Sequence, residues 1–258
     1  MKRQVRLAKY EYRRKRKRFM NRLFLFSVII LIAIFTLNKF GVFNVISVKV
    51  EGAERLKSTE VIKVSGIKVG QSYFSVSPNS RERDLEKIPL VKSAKISFNF
   101  KREAVIKLEE RIPKFQIENF LEYYMLDEDM KIISKESSKA EVPEIKDNLK
   151  KLNLGEKIYE DDNKIEFFKE LVNQPVYSKI EDIDLNGTYS LFTKDGIQIV
   201  IGKLENLDYK FRMLEEILKD IEATGKNARI IELDKEDPIV MVDDHNRENI
   251  EENLDESQ

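Results

Sequence analysis

Residues 23–37 read LFLFSVIILIAIFTL, a run of about fifteen residues without a charge, and the reading of this run decides the class of the chain. A helix needs about twenty apolar residues to cross hydrocarbon. Asn38 and Lys39 interrupt the run, and Phe40, Gly41, Val42 and Phe43 continue it. Lysine can snorkel toward water, so the expected span is 23–43. A buried soluble helix would show a polar face at helical spacing, and none is present. A cleaved signal peptide needs small residues at its cut site, and Phe40-Gly41-Val42-Phe43 offers no such pair. An uncleaved signal anchor is left.

Just before the span stand Arg13, Arg14, Lys15, Arg16, Lys17 and Arg18. The whole chain is neutral, with 46 basic and 46 acidic residues. Residues 1–22 nevertheless hold about eleven Lys/Arg against one acid, Glu11, so the rest is acidic by about ten charges. The positive-inside rule puts this basic tail in the cytoplasm and everything after the span outside. Beside a transmembrane helix, topology and anionic lipid explain such a run better than nucleic acid does, and no nucleic-acid partner is expected.

Composition removes several kinds of chemistry. Without cysteine there is no disulfide framework, thiolate metal site or cysteine nucleophile. One histidine, His245, cannot make a multi-histidine metal site or a histidine-based triad. No cofactor is expected. Gly66 and Gly70 are followed by Gln71, which is not a phosphate loop. There is no G-x-S-x-G elbow.

Beyond the span, alternation resumes. Ile46, Val48 and Val50 read as a strand that Gly52 ends. Ser58 is placed to cap a helix that Gly66 terminates. Ser77-Pro78 starts a second helix, which runs to Ile88 and stops at Pro89. Ala94, Ile96, Phe98 and Phe100 alternate, as do Ala104, Ile106 and Leu108 after a Lys101-Arg102 turn. Residues 45–114 therefore read as a βααββ domain.

From 115 to 242 a second domain follows. Tyr123–Leu126 and Ile132-Ile133 flank Asp127-Glu128-Asp129, a hairpin whose acids suit a solvated turn better than a calcium loop, since the loop glycine is missing. Ile165, Phe168, Leu171 and Val172 share one helical face, ended by Pro175. Asn186-Gly187 and Asp195-Gly196 mark two more hairpins. Residues 207–221 form an amphipathic helix, and Ile230–Leu233 and Ile239–Val242 are the last strands. The stretch 243–258 is acidic and expected to be disordered, with His245 idle in it. The fold class is α+β: one transmembrane helix, the βααββ domain, and a mixed β-domain with packed helices.

Three stretches carry a resemblance. They are Val48-Lys49-Val50-Glu51-Gly52, then 88–96 (IPLVKSAKI), then 106–113 (IKLEERIP), which contains a Glu-Arg-x-Pro element. Together with the preceding anchor they resemble the POTRA domain of the FtsQ/DivIB family of bacterial cell-division proteins. Thr193–Gly202 and Ile231–Asp234 resemble that family's β-domain. Where the family's leucine-aspartate turn usually has glycine, this chain has Met130. Glu110 and Arg111, in the Glu-Arg-x-Pro element, end a strand and read as a structural hinge rather than as catalysts.

The resemblance implies a non-enzymatic, bitopic divisome protein at the septum. It would bind FtsB/DivIC-type and FtsL-type single-span proteins and help control septal peptidoglycan synthesis. A membrane-anchored cell-wall hydrolase and a surface adhesin are the alternatives. The last strand has only the acidic tail after it, so it is expected at a sheet edge, open to a partner strand. The expected partner-binding residues are Ile239, Val240 and Met241, with Ile231 and Leu233 on the neighbouring strand shaping side-chain pockets.

Overall fold

The computed structural model describes residues 2–149, 151–235 and 237–242. The first element, α1, is one helix over Lys2–Lys39. Its apolar stretch is Phe19–Leu37, unburied throughout, with mean hydropathy 2.2. At about 1.5 Å per residue this covers roughly 29 Å, close to the hydrocarbon thickness. The helix stops at Lys39, short of the expected Phe43. Gly41 takes φ +72° and its carbonyl accepts from Asn44 N at 3.1 Å, which turns the chain before the apolar residues can prolong the helix.

The chain divides into two compact units, Met1–Glu86 with Ser93–Glu109, and Lys87–Lys92 with Glu110–Gln258. In the first, β1 (Ser47–Glu51), α2 (Ser58–Ser65), α3 (Pro78–Glu86), β2 (Val91–Phe98) and β3 (Glu103–Glu110) follow the βααββ order. The sheet order is β1-β3-β2, with β1 parallel to β3. Gly52 leaves β1 at φ +78°, and a Cβ there would lie 2.1 Å from the Leu108 carbonyl oxygen, so only glycine fits. Val61, Leu85, Ile96 and Ile106 are fully or almost fully buried and make the core between helices and sheet. Ser58 lies inside the first turn of α2 and makes no cap bond; Lys57 occupies the cap position. Gly66 ends α2 in the left-handed region, as its sequence position implies. Along β2, the Ile96 and Ala94 amides donate to Glu82 and Glu86 of α3, at 2.8 and 3.3 Å.

The second unit is built on one mixed sheet of nine strands. They are β4 (Phe115–Asn119), β5 (Glu122–Leu126), β6 (Ile132–Glu136), β7 (Glu144–Lys146), β8 (Ile180–Asp184), β9 (Ser190–Thr193), β10 (Gln198–Val200), β11 (Ala228–Glu232) and β12 (Ile239–Val242). Their order across the sheet is β12-β11-β10-β9-β8-β7-β4-β5-β6. The hairpins at Asn186-Gly187 and Asp195-Gly196 join β8 to β9 and β9 to β10. Helices α4 (Asp162–Val172) and α5 (Leu207–Thr224) contribute Phe167, Phe168, Leu171, Phe211 and Leu214 to a core with Ile183, Leu191, Ile199 and Ile231. Asp161 caps α4 by accepting from Asn163 N at 2.9 Å. The result is a sheet whose helix-facing side is sealed by aromatic and aliphatic packing.

Candidate functional site

β12 is the last strand in the sheet order. It pairs antiparallel with β11 on one side, in the register Ile230↔Met241, Ile231↔Val240 and Glu232↔Ile239. Among the described residues no strand lies on its other side. Pro238 fixes the entry to the strand and supplies no N–H. Ile239, Val240, Met241 and Val242 are each 36–44% exposed. Side chains directly opposite in a ladder share a face. Val240, opposite the buried Ile231, thus continues the helix-facing side to its rim, while Ile239 and Met241 lie on the other face. Four consecutive apolar residues at an uncovered edge can take a further strand, which would satisfy outward backbone groups and cover both faces.

Ile231 and Leu233 are placed differently from the expectation. They are 0% and 3% exposed and belong to the core beneath the sheet. β11 has β10 on one side and β12 on the other, so its inward side chains are covered by α5 and not available to a partner. The open edge therefore comprises Ile239, Val240 and Met241, joined by Val242.

The basic stretch from Arg13 to Arg18 lies on α1 ahead of the apolar window, and Lys17 is exposed. His245 and the acidic stretch 243–258 lie outside the described residues.

A polar centre sits at the far end of the sheet. The turn between β5 and β6 is not solvated as expected. Asp127 is buried, and its Oδ1 accepts from Asp129 N at 3.0 Å and Lys131 N at 2.9 Å. Its other oxygen is paired with Arg111 Nη1. The turn thus bends around Asp127, and Met130 takes the left-handed position at φ +58° with its side chain fully buried. Burial of the thioether chain there offsets the backbone strain that glycine would avoid. Asp129 accepts from Lys169 of α4 at 2.7 Å, and that bond first, then nearby Lys157 and Arg111, holds its carboxyl below the ordinary carboxylate range. Arg111 also donates its backbone N–H to Leu90 O at 2.7 Å. The Glu-Arg-x-Pro element and the leucine-aspartate turn, whose Arg111 and Asp127 are 16 residues apart, are one structural joint. Its charges pair with one another, while Arg111 Nε is buried without a hydrogen-bond partner among the described residues. Among the described residues no group of three or more potential metal-ligating side chains is present.

Comparison with known proteins finds the same first domain. Residues 43–111 match the family model of the FtsQ-type POTRA domain. The cell-division protein DivIB of Clostridium tetani (strain Massachusetts / E88) is 26% identical over 229 residues, covering 84% of this chain and 86% of the relative. The solved major extracytoplasmic domain of the trans isomer of cell-division protein DivIB from Geobacillus stearothermophilus aligns at 14% identity and a TM-score of 0.31, over 45% of this chain and 97% of that one.

Proposed function

Because the chain belongs to the FtsQ/DivIB family and is a cell-division protein, we propose that it works without catalysis, as a docking protein of the divisome. An N-terminal apolar helix anchors it in the membrane and its folded part is extracytoplasmic. In this reading the basic run 13–18 holds the N-terminus in the cytoplasm, and the protein gathers at the septum. There its β-domain receives FtsB/DivIC-type and FtsL-type single-span proteins and so helps control septal peptidoglycan synthesis.

The observation that supports this reading is the edge at β12. It is apolar, half exposed on both faces, and ends the sheet. A partner segment laid along it would add a tenth strand. Backbone hydrogen bonds would give affinity, and contacts with Val240 on one face and with Ile239 and Met241 on the other would give register. A hydrolase would instead need two carboxylates converging on a cleft. Asp127 and Asp129, acids drawn together near a cation, are committed to Arg111 and Lys169.

Proline scanning of the strand tests the proposal. Neighbouring residues in an antiparallel strand send their N–H groups to opposite sides. Of Val240→Pro and Met241→Pro, one therefore removes an outward donor and the other a bond to β11. The first should leave the melting temperature of the full-length protein within a few degrees of wild type and abolish co-purification of the single-span partners. If both variants keep full partner capture while folded, the edge is not the docking site.

A further inference from the structure

The first unit carries a set of aromatic residues whose rings stand largely exposed. Phe40, Phe74 and Phe100 are 85%, 69% and 109% exposed. Alternation alone would have Phe100 continue β2, but that strand ends at Phe98. Phe100 instead stands at the tip of the β2–β3 turn. The turn is firmly made: Asn99 Oδ1 accepts from Lys101 N at 2.9 Å and Glu103 N at 3.0 Å, and its side-chain amide donates to Glu103 at 2.8 Å. Phe74 sits on a short 3-10 turn, Tyr73–Ser75, where Tyr73 stacks on Phe98 at 4.8 Å. Rigid loops thus hold large rings out in water, a costly arrangement for an isolated surface.

These loops are tied to the end of the membrane helix. Tyr73 N donates to Phe43 O at 3.0 Å, and Phe74 meets Phe43 edge to face at 5.2 Å. Arg102 Nη1 donates to Gly41 O at 3.3 Å, and Ile46 N donates to Arg102 O at 2.9 Å. Gly41 lies just beyond Lys39, the last residue of α1. Phe100 is two Cα steps from Arg102, roughly 7 Å of chain. If the apolar window Phe19–Leu37 fills the hydrocarbon, Lys39 emerges into the headgroup layer, which is about 5–8 Å thick on each side. Phe40, Phe74 and Phe100 then fall at the depth where aromatic belts sit, with Lys39, Lys101 and Arg102, all exposed, at the level of lipid phosphates.

We propose that the helix-proximal face of this POTRA domain is a lipid-interface surface, with the rings of Phe40, Phe74 and Phe100 inserted among the outer-leaflet headgroups and the three cations beside anionic phosphates. The lipid is chosen over a protein occupant because the patch is continuous with the membrane-spanning helix. The proposal rests on the reading that α1 spans the bilayer. Its consequence is mechanical: the domain is fixed against the membrane surface and does not swing on a free linker.

The chain contains no Trp, so single tryptophans report without background. Full-length Phe100→Trp, Leu31→Trp and Glu54→Trp are reconstituted into vesicles of phosphatidylcholine and phosphatidylglycerol containing lipids brominated at defined acyl depths. Leu31 marks mid-span, and Glu54 lies just past the far end of β1, away from the helix end. The mid-span tryptophan should be quenched by the deep bromines. The tryptophan of Phe100→Trp should be quenched by the shallowest bromines at least about twofold more strongly than that of Glu54→Trp, and its emission should shift to the blue. Charge reversal of Lys101 should weaken the quenching seen in Phe100→Trp. If Leu31→Trp is not quenched, the helix does not span and the proposal falls with it. If Leu31→Trp is quenched and Phe100→Trp behaves like Glu54→Trp, the domain stands clear of the lipid and the proposal is overturned. It is equally overturned if the tryptophan of Phe100→Trp becomes buried only on addition of division proteins, which would make the patch a protein-docking surface.

Discussion

At one end of the nine-stranded sheet β6 runs beneath the backbone of residues 155–157; at the other, β12 has no such cover among the described residues. On the β6 side, Ile132 N donates to Glu156 O at 2.9 Å and Ile132 O accepts from Gly155 N at 2.8 Å. An irregularity between Met125 and Leu126 of its partner strand shifts the register, and Lys135 carries a charge on β6 itself. β2 of the first unit is protected differently, by Glu82 and Glu86 reaching over from α3. Strap, bulge, charge and side-chain cap are the ordinary means of preventing strand addition. β12 has an unbroken Ile-Val-Met-Val run. Among the described residues the nine-stranded sheet thus has one end closed and the other open, which favours retention of the β12 edge for use.

The largest effect should come from the closed side. Asp127 and Arg111 have side chains only 5% and 15% exposed, and removing one partner strands the other's charge in a dry site. Asp127→Ala also deprives the turn of its acceptor for Asp129 N and Lys131 N. It is expected to cost roughly 3–5 kcal/mol, read by denaturant unfolding of the full-length protein. Asp127→Asn keeps an acceptor for the turn and should cost less. Partner capture by whatever remains folded should be unchanged, because the joint and the open edge are separate. Loss of capture without loss of stability would break the comparison.

How much of this is legible in the sequence follows the strength of the local signals. The hairpins at Asn186-Gly187 and Asp195-Gly196 can be read because both turn positions name their backbone conformation. The hairpin between β4 and β5 cannot: its turn residues, Phe120 and Leu121, both adopt positive φ, at 50° and 64°, with no glycine or asparagine between them. β7 gives no signal because it is three residues long with Ile145 as its one buried side chain, yet it is a central strand that pairs parallel with both β4 and β8. Parallel pairing has no local turn to announce it. The open edge is legible from chain order, since the strand comes last before the acidic stretch. Which side chains it exposes is not, because alternation gives two faces but not which neighbours cover them. That is why Ile231 and Leu233 read as pocket residues in sequence and lie in the core. The pairing of Arg111 with Asp127 needs the fold, as neither flanking sequence refers to the other.

A middle-sized effect separates the open edge from the strand beside it. Ile231 and Val240 are directly opposed in the ladder, one 0% exposed and the other 36%. Ile231→Ala removes buried methyl groups and leaves a cavity, and should cost about 2–5 kcal/mol. Val240→Ala removes half-exposed methyls and should cost about 1 kcal/mol or less. For partner binding the ranking should reverse, with Val240→Ala weakening capture in the folded protein more than Ile231→Ala does. Equal destabilisation by the two substitutions would mean that β12 is packed as an interior strand and that the contrast between the edges is false.

The smallest effect concerns the device that closes β6. Lys135 pairs with Glu122 across the hairpin at 2.5 Å, and both side chains are well exposed. An exposed pair of this kind contributes about 0–1 kcal/mol. Removing it with Lys135→Val keeps a side chain suited to a strand while deleting the charge that discourages edge-to-edge pairing. If the strap at Ile132 is the working closure, its backbone hydrogen bonds already occupy the start of the β6 edge, where a further strand would have to pair. Lys135→Val should then stay within about 0.5 kcal/mol of wild type and keep the oligomeric state of the wild-type protein in detergent, by light scattering at rising concentration. New association specific to this variant would show that the lysine, and not the strap, guards the edge. In that case β6 and β12 differ by a single charge, and Val240→Lys at the other end should close β12 to its partner as Lys135 closes β6.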